Sequence, residues 1–204
     1  MATTAEITTD PIINPVQAVG FPEHRITVER YQKMVDAGVF EDGEPVFLWD
    51  GKLVEEMTKG IPHNFASASL IELLVKLVPR GWFVRVETPV TLKPRSVPEP
   101  DLMIVRGTVR DYLQRQTVPG DVVICIEIAD SSLLQDSWVK LPAYAQAGIP
   151  ISWIVNLRDN RLEVYEKPVG SKYTSRRDFG PDDEVPVVLD SREVGRIAAS
   201  EFLP

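Results

Sequence analysis

The chain has 204 residues, 44% of them hydrophobic, and a formal net charge of −8, so it is long enough to bury one full core. No stretch approaches the roughly 18 to 20 apolar residues that span a bilayer, the amino terminus lacks the regions of a signal peptide, and a single cysteine excludes an internal disulfide framework. These features predict a cytoplasmic protein, and the acidic charge disfavours a histone-like or transcription-factor role.

The first part of the chain divides into an arm and the start of a domain. Residues 1–24 are rich in Thr, Pro and small residues without periodicity, which predicts a flexible arm ahead of a single domain over residues 25–204. Thr27 is a suitable cap for a short helix and Gly38 a suitable end for it. We therefore predict a helix between these two residues.

The rest of the chain alternates between strand and helix patterns. An Asp-Gly turn between apolar runs indicates a β-hairpin, and helical spacing of apolar residues indicates two further helices. The predicted hairpin and helices cover Pro45–Met57, Pro62–Val78 and Leu133–Ala147. The other predicted strands cover Trp82–Glu87, Pro89–Leu92, Asp101–Val105, Val122–Ala129, Ile151–Leu157, Leu162–Glu166, Lys172–Phe179 and Val185–Leu189. Together these elements predict one α/β domain with a mixed sheet and few helices.

Glu127, in the predicted strand Val122–Ala129, is the most informative residue. Both alternating sets of side chains in this strand are apolar, which indicates a central strand covered on both faces. A carboxylate there is costly unless it is paired or binds a cation, so a metal ion, a nearby lysine or both must neutralise it. An arginine partner would instead give it a structural role. Cys125 and Ala129, on the same face, leave room for a metal ion and its waters.

Three other polar residues lie on elements that could converge on Glu127. Glu55 lies in the hairpin, Asp101 opens a strand, and Lys140 lies on the helix that follows Glu127. Carboxylates from different elements suit Mg²⁺, with Mn²⁺ as a possible substitute, because these cations take oxygen ligands. A lysine beside them can orient or deprotonate an attacking water. The combination indicates metal-assisted phosphodiester hydrolysis.

The same residues carry a resemblance to a known superfamily. Pro100-Asp101 followed by Glu127-Ile-Ala129 resembles the core of the PD-(D/E)xK nucleases, although an alanine stands where their lysine is expected. More closely, the chain resembles the Uma-two (Uma2) family over about residues 25–167. The matching segments are Trp49–Met57, His63, Pro98–Leu102, Val123–Ser132, Lys140–Tyr144, Gly148–Asn156 and Leu162–Tyr165. The resemblance implies a restriction-endonuclease-like mixed β-sheet flanked by helices, with extra β-hairpins.

The resemblance also implies roles for the site residues. Asp101 and Glu127 are the pair that holds Mg²⁺, Glu55 is the family's first acid and adds a ligand directly or through water, and Lys140 is the displaced lysine. The implied function is a metal-dependent endonuclease that hydrolyses DNA and acts as a homodimer. The family's activity is inferred mostly from its fold, so the alternative is a non-catalytic module that binds nucleic acid or a protein partner.

Some of these residues have ordinary alternatives. A lysine on a helix usually faces solvent, and in this alternative Lys140 would do the same. Glu56 competes with Glu55, since neighbours on a strand face opposite sides, and the family pattern selects Glu55. His63 and Tyr144 are possible auxiliary residues. His63 could contact phosphate or assist proton transfer, and Tyr144, one helical turn after the lysine, could reach the same place, although capping and packing are their commoner roles.

Overall fold

The computed structural model describes residues 22–204, so nearly all of the arm predicted over residues 1–24 lies outside the described part of the chain. The strands are β1 (Val46–Trp49), β2 (Lys52–Glu55), β3 (Trp82–Val86), β4 (Leu102–Arg106), β5 (Val122–Ala129), β6 (Ile151–Asn156), β7 (Arg161–Val169), β8 (Lys172–Phe179), β9 (Glu184–Leu189) and β10 (Arg192–Ala198). The helices are α1 (Val28–Asp36), α2 (Ile61–Leu77), α3 (Leu133–Gln135) and α4 (Leu141–Gln146), and a π-helical turn, Asp136–Lys140, joins α3 to α4.

A six-stranded mixed sheet forms the centre of the protein. Its strand order is β3-β4-β5-β6-β7-β8. The pairing of β5 with β6 is parallel and the other four pairings are antiparallel. Two antiparallel hairpins, β1-β2 and β9-β10, form separate two-stranded sheets. The prediction of a mixed sheet flanked by helices, with extra hairpins, is confirmed.

Strand β5 is the most enclosed strand of the sheet. Every one of its residues is buried, because β4 and β6 flank it and side chains cover both of its faces. On one face, Ile124 and Ile126 belong to the core that includes Leu70 and Leu74 of α2. On the other face, Cys125 belongs to a second core that includes Tyr144 of α4. The prediction of a central strand around Glu127 is therefore confirmed.

Two local predictions, the hairpin turn at Asp50-Gly51 and the helix cap at Thr27, are also confirmed. Asp50 and Gly51 have φ angles of 44° and 77°, the left-handed pair that a tight hairpin turn requires, and β1 and β2 pair across them. Thr27 accepts a hydrogen bond from the Arg30 N–H at the start of α1. None of the helices within residues 22–204 is long and apolar enough to cross a membrane.

One predicted strand is absent, and another is present but belongs to a different sheet. Pro89–Leu92 is not a strand, since it makes only isolated bridges to residues outside the ladders; a proline has no N–H for a ladder. Val185–Leu189 lies in β9, but it pairs with β10 and does not complete the central sheet. The partner strand was not predicted because it contains few apolar residues and is interrupted by a bulge between Glu193 and Gly195.

The helix predicted over Leu133–Ala147 is present with a different internal geometry. Its middle is the π-helical turn Asp136–Lys140, and Pro142 lies in the first turn of α4. Pro142 has no N–H to donate, so it is tolerated at the beginning of a helical segment and disrupts the interior of one. π-Helical turns within helices occur frequently at functional sites, and this one carries two of the side chains described next.

Candidate active site

A pocket with a cavity volume of about 90 Å³ lies beside the carboxyl-terminal half of β5. All four predicted catalytic residues line it, and the auxiliary residue His63 lines it too. Three further charged residues that the sequence did not single out, Lys59, Asp130 and Asp136, complete the charged part of its wall. The charged and titratable residues of the wall are Glu55, Glu56, Lys59, His63, Asp101, Glu127, Asp130, Asp136 and Lys140.

Glu127 lies at the centre of the polar network and is only 4% exposed. Its Oε1 accepts a hydrogen bond of 2.5 Å from the Tyr144 hydroxyl, and its Oε2 accepts one of 3.1 Å from Lys140 Nζ. Burial raises the pKa of Glu127, Lys140 lowers it, and the carboxylates of Asp136 and Asp101 raise it; the net result is a pKa of about 8. The charged partner of this side chain is a lysine and not an arginine.

Asp101 comes directly before β4 and is 5% exposed. Since Leu102 pairs with Ile126, the ladder places Asp101 beside Glu127. Its Oδ2 accepts a hydrogen bond of 2.7 Å from the Ile128 N–H, and its Oδ1 lies 3.0 Å from His63 Nε2. Burial raises the pKa of Asp101, but the interactions with His63 and with the Ile128 N–H bring it below its ordinary value overall.

The hydrogen bond from the backbone gives Asp101 a measurable structural role. Asp101→Ala should lower the free energy of unfolding by about 1–3 kcal/mol, because it leaves the Ile128 N–H buried without an acceptor. Asp101→Asn keeps an oxygen at the same place and should lose less. Urea denaturation in EDTA measures both variants, and equal losses would contradict this role for the carboxylate.

Among the pocket residues that the sequence reasoning missed, Lys59 and Asp136 contact predicted site residues directly. Lys59, in the loop between β2 and α2, places its Nζ 3.1 Å from Asp101 Oδ1 and 2.7 Å from Glu87 Oε1. Asp136, in the π-helical turn, is 2% exposed, and its Oδ1 lies 3.2 Å from Lys140 Nζ. The spacing of Asp136, four residues before Lys140, is a signal that could have found it. Lys59 lies on an irregular loop, and no local pattern indicates its contacts.

Glu55 and Glu56 both line the pocket, at the end of the hairpin. Glu55 is exposed, whereas Glu56 is partly buried and lies 3.6 Å from Lys59 Nζ. Across residues 22–204, no three His, Cys, Asp or Glu side chains are placed to hold one metal ion together. Glu55, Asp101 and Glu127 are therefore not arranged to bind one metal ion together. The role of Glu55 as a ligand stays a prediction.

The donor chemistry of the pocket fits a hard divalent cation. Asp101 and Glu127 supply carboxylate oxygens, the ligand type that such cations prefer. Mg²⁺ is commonly held by only one or two carboxylates and completes its octahedron with waters and substrate phosphates. Two convergent carboxylates are thus sufficient, provided that one oxygen of Glu127 is released by its present partner.

The raised pKa of Glu127 predicts how stability depends on pH. Between pH 4.5 and about 8 the native state keeps a proton that the unfolded state releases. The stabilisation from this proton is complete below pH 4.5 and is lost as the pH rises through about 8. In EDTA, the wild type should therefore lose stability relative to Glu127→Gln as the pH rises through this window. Urea denaturation of both proteins measures the difference, which should not vary with pH if Glu127 titrates normally.

Comparisons with known proteins agree with the fold. A family model described as "Uma2: Putative restriction endonuclease" matches residues 28–195, a range that contains all the residues of the pocket. Among solved structures, a "putative nuclease belonging to DUF820" from Anabaena variabilis ATCC 29413 aligns with a TM-score of 0.65 and 16% identity, covering 87% of this chain and 97% of that chain. This likeness confirms the predicted fold. No curated protein matches the chain.

Proposed function

The chain belongs to the Uma2 family, and from this premise we propose that it is a metal-dependent endonuclease that hydrolyses phosphodiester bonds in DNA. The observation that carries the proposal is the convergence of two buried carboxylates, Asp101 and Glu127, and one largely buried lysine, Lys140, on a single pocket. Burying such groups is costly, and buried titratable groups with specific partners cluster at functional sites. Asp101 and Glu127 are the proposed ligands of Mg²⁺.

Each residue that takes part in the proposed reaction has a separate role. Bound Mg²⁺ supplies Lewis-acid activation of water and neutralises phosphate charge. The Ile128 N–H and His63 fix the orientation of the Asp101 carboxylate. Tyr144 fixes one oxygen of Glu127 and leaves the other to exchange its partner. Lys140 Nζ orients the attacking water and stabilises the negative charge that develops on the phosphate.

Lys59 extends the positive charge of the pocket toward solvent. Its side chain is 24% exposed, compared with 14% for Lys140, so it is the more accessible of the two ammonium groups. In the proposed reaction Lys59 contacts the incoming phosphate, which offsets part of the repulsion from an acidic protein of net charge −8.

We also propose that the enzyme acts as a homodimer in the cytoplasm. Size-exclusion chromatography with light scattering tests the oligomeric state.

The second candidate is a non-catalytic module that binds nucleic acid or a protein partner. The observation that favours it is that both carboxylates are already satisfied by the chain itself: Glu127 by Tyr144 and Lys140, and Asp101 by Ile128 and His63. Such a module would bind its partner without any need for a divalent cation. Cleavage and binding must therefore be measured on the same preparations.

The test is cleavage of supercoiled plasmid and of single-stranded DNA with Mg²⁺ or Mn²⁺, with EDTA as the negative control. The expected result is nicking or linearisation that requires the cation and is lost in Glu127→Ala. The matched control is Glu72→Ala, since Glu72 is an exposed glutamate of α2 that pairs with Lys76. Cleavage that survives Glu127→Ala, or DNA binding without any cleavage, would contradict the nuclease proposal.

A further inference from the structure

We infer that Asp136 is a positioning residue, which keeps the Lys140 ammonium in the pocket when Glu127 releases it to a cation. Lys140 Nζ lies between two carboxylates, 3.1 Å from Glu127 Oε2 and 3.2 Å from Asp136 Oδ1. All three side chains are largely buried. The inference rests on the proposed function for its consequence in catalysis, whereas the contact between Asp136 and Lys140 is tested below without any metal.

Asp136 is well placed to hold an ammonium group because its own position is fixed. Its Oδ2 accepts a hydrogen bond of 2.5 Å from the Ser132 hydroxyl, one helical turn earlier. Its Oδ1 is buried and makes no hydrogen bond with a described residue. The short ionic contact with Lys140 therefore leaves an acceptor free, and a small movement of Lys140 would convert that contact into a charge-assisted hydrogen bond.

The need for such a residue follows from the charges in the pocket. A cation bound to Glu127 takes a carboxylate oxygen from Lys140 and also repels its ammonium group. A buried ammonium without a partner is strongly unfavourable, so Lys140 would either leave the pocket or oppose binding of the cation. Asp136 supplies a second carboxylate, 3.2 Å from Lys140 Nζ. The lysine can then stay near the reacting phosphate while Glu127 coordinates the metal.

The first test measures the affinity for Mn²⁺ alone by isothermal titration calorimetry. Asp136→Asn should weaken Mn²⁺ binding by about tenfold or more, because Lys140 then depends on Glu127 as its only charged partner. Lys140→Met should bind Mn²⁺ at least as tightly as the wild type. The double variant, Asp136→Asn with Lys140→Met, should bind Mn²⁺ as Lys140→Met does, because Asp136 acts on the cation only through the lysine.

Two results of this test would overturn the inference. If the double variant binds Mn²⁺ as weakly as Asp136→Asn, Asp136 acts on the cation directly and not through Lys140. If Asp136→Asn binds Mn²⁺ as the wild type does, the carboxylate is not needed to hold the lysine. A wild type that binds no Mn²⁺ would count against the proposed function, and the second test would then decide the inference by itself.

The second test measures the acylation rate of the Lys140 amine by mass spectrometry, in EDTA. In buffer above about pH 8, where Glu127 is ionised, Glu127→Gln removes a charge that holds Lys140, as a bound cation would do. We expect Lys140 in this variant to react at nearly the wild-type rate, since Asp136 still holds it. In Glu127→Gln combined with Asp136→Asn, the rate should rise by about tenfold or more. Equal rates in the single and double variants would overturn the inference.

Two controls separate positioning from loss of structure. Lys76 is exposed on α2, with 69% of its side chain accessible, and its acylation rate should be the same in every variant. Ser132→Ala removes the hydrogen bond to Asp136 Oδ2 but leaves both charges in place, so it provides a milder variant if Asp136→Asn does not fold. In the Glu127→Gln background, Ser132→Ala should raise the acylation rate of Lys140 by less than Asp136→Asn does. No change in that rate would count against the inference.

Discussion

Glu127→Gln is expected to reduce Mg²⁺-dependent DNA cleavage by about 1,000-fold or more, since it removes a ligand on which both the cation and the nucleophilic water depend. The variant should nevertheless remain folded. Gln has nearly the shape of a protonated Glu and retains an oxygen that can accept from Tyr144 or Lys140. Because burial already raises the pKa of Glu127 to about 8, a neutral side chain is well tolerated there in the absence of metal.

The pairing of a large catalytic loss with retained stability makes this prediction specific. Cleavage rates and urea denaturation at neutral pH are measured on the same preparation, with Glu72→Gln as the matched control on the exposed face of α2. The control should cleave at the wild-type rate. Cleavage by Glu127→Gln within about tenfold of the wild type would exclude Glu127 as a metal ligand.

Lys140→Met is the second substitution with a large expected effect. It should lower DNA cleavage without lowering the affinity for Mn²⁺. Cleavage should fall by about 100-fold to 1,000-fold, a loss typical of removing one group that stabilises transition-state charge. Mn²⁺ affinity should be unchanged or higher, because the substitution frees Glu127 Oε2 and removes a positive charge from a buried position. A metal ligand would lose both properties together, so the opposite directions identify a residue that acts on the water and the phosphate.

Lys76→Met provides the control for this substitution. Lys76 lies on the exposed face of α2 and, among residues 22–204, pairs only with Glu72 four residues earlier, so its loss should change neither cleavage nor Mn²⁺ affinity. Single-turnover cleavage with saturating DNA separates the chemical step from binding. If Lys140→Met lowers Mn²⁺ affinity and cleavage in parallel, the lysine only supports the structure of the pocket.

Much of the fold could be predicted because its signals are local. The Asp50-Gly51 turn, the helix cap at Thr27 and the doubly apolar strand around Glu127 each specify their own element, and the structure contains all three. The pairing of strands was harder, since it depends on distant contacts. β9 belongs with β10 and not with the central sheet because the two strands are joined by a short turn, and β10 has too weak an apolar pattern to be recognised alone.

The contacts of the candidate site were predictable where burial requires a partner for a charged residue. A carboxylate in a fully apolar strand requires a partner, and Lys140 was found as that partner by its place on the next helix. Lys59 and Asp136 were not found, because an ordinary surface role accounts equally well for a lysine in a loop and an aspartate on a helix. The π-helical turn, which carries both Asp136 and Lys140, has no sequence signal that periodicity can detect.

A crystal structure with Mn²⁺, located by its anomalous scattering, tests the proposed metal site most directly. We expect one strong peak in the pocket, at the roughly 2.1 Å typical of small divalent cations bound by oxygen, from carboxylate oxygens of both Asp101 and Glu127. Lys140 Nζ should then have left Glu127 and remained beside Asp136. A pocket without a peak at saturating Mn²⁺, with Glu127 still bound to Tyr144 and Lys140, would contradict a metal-dependent nuclease.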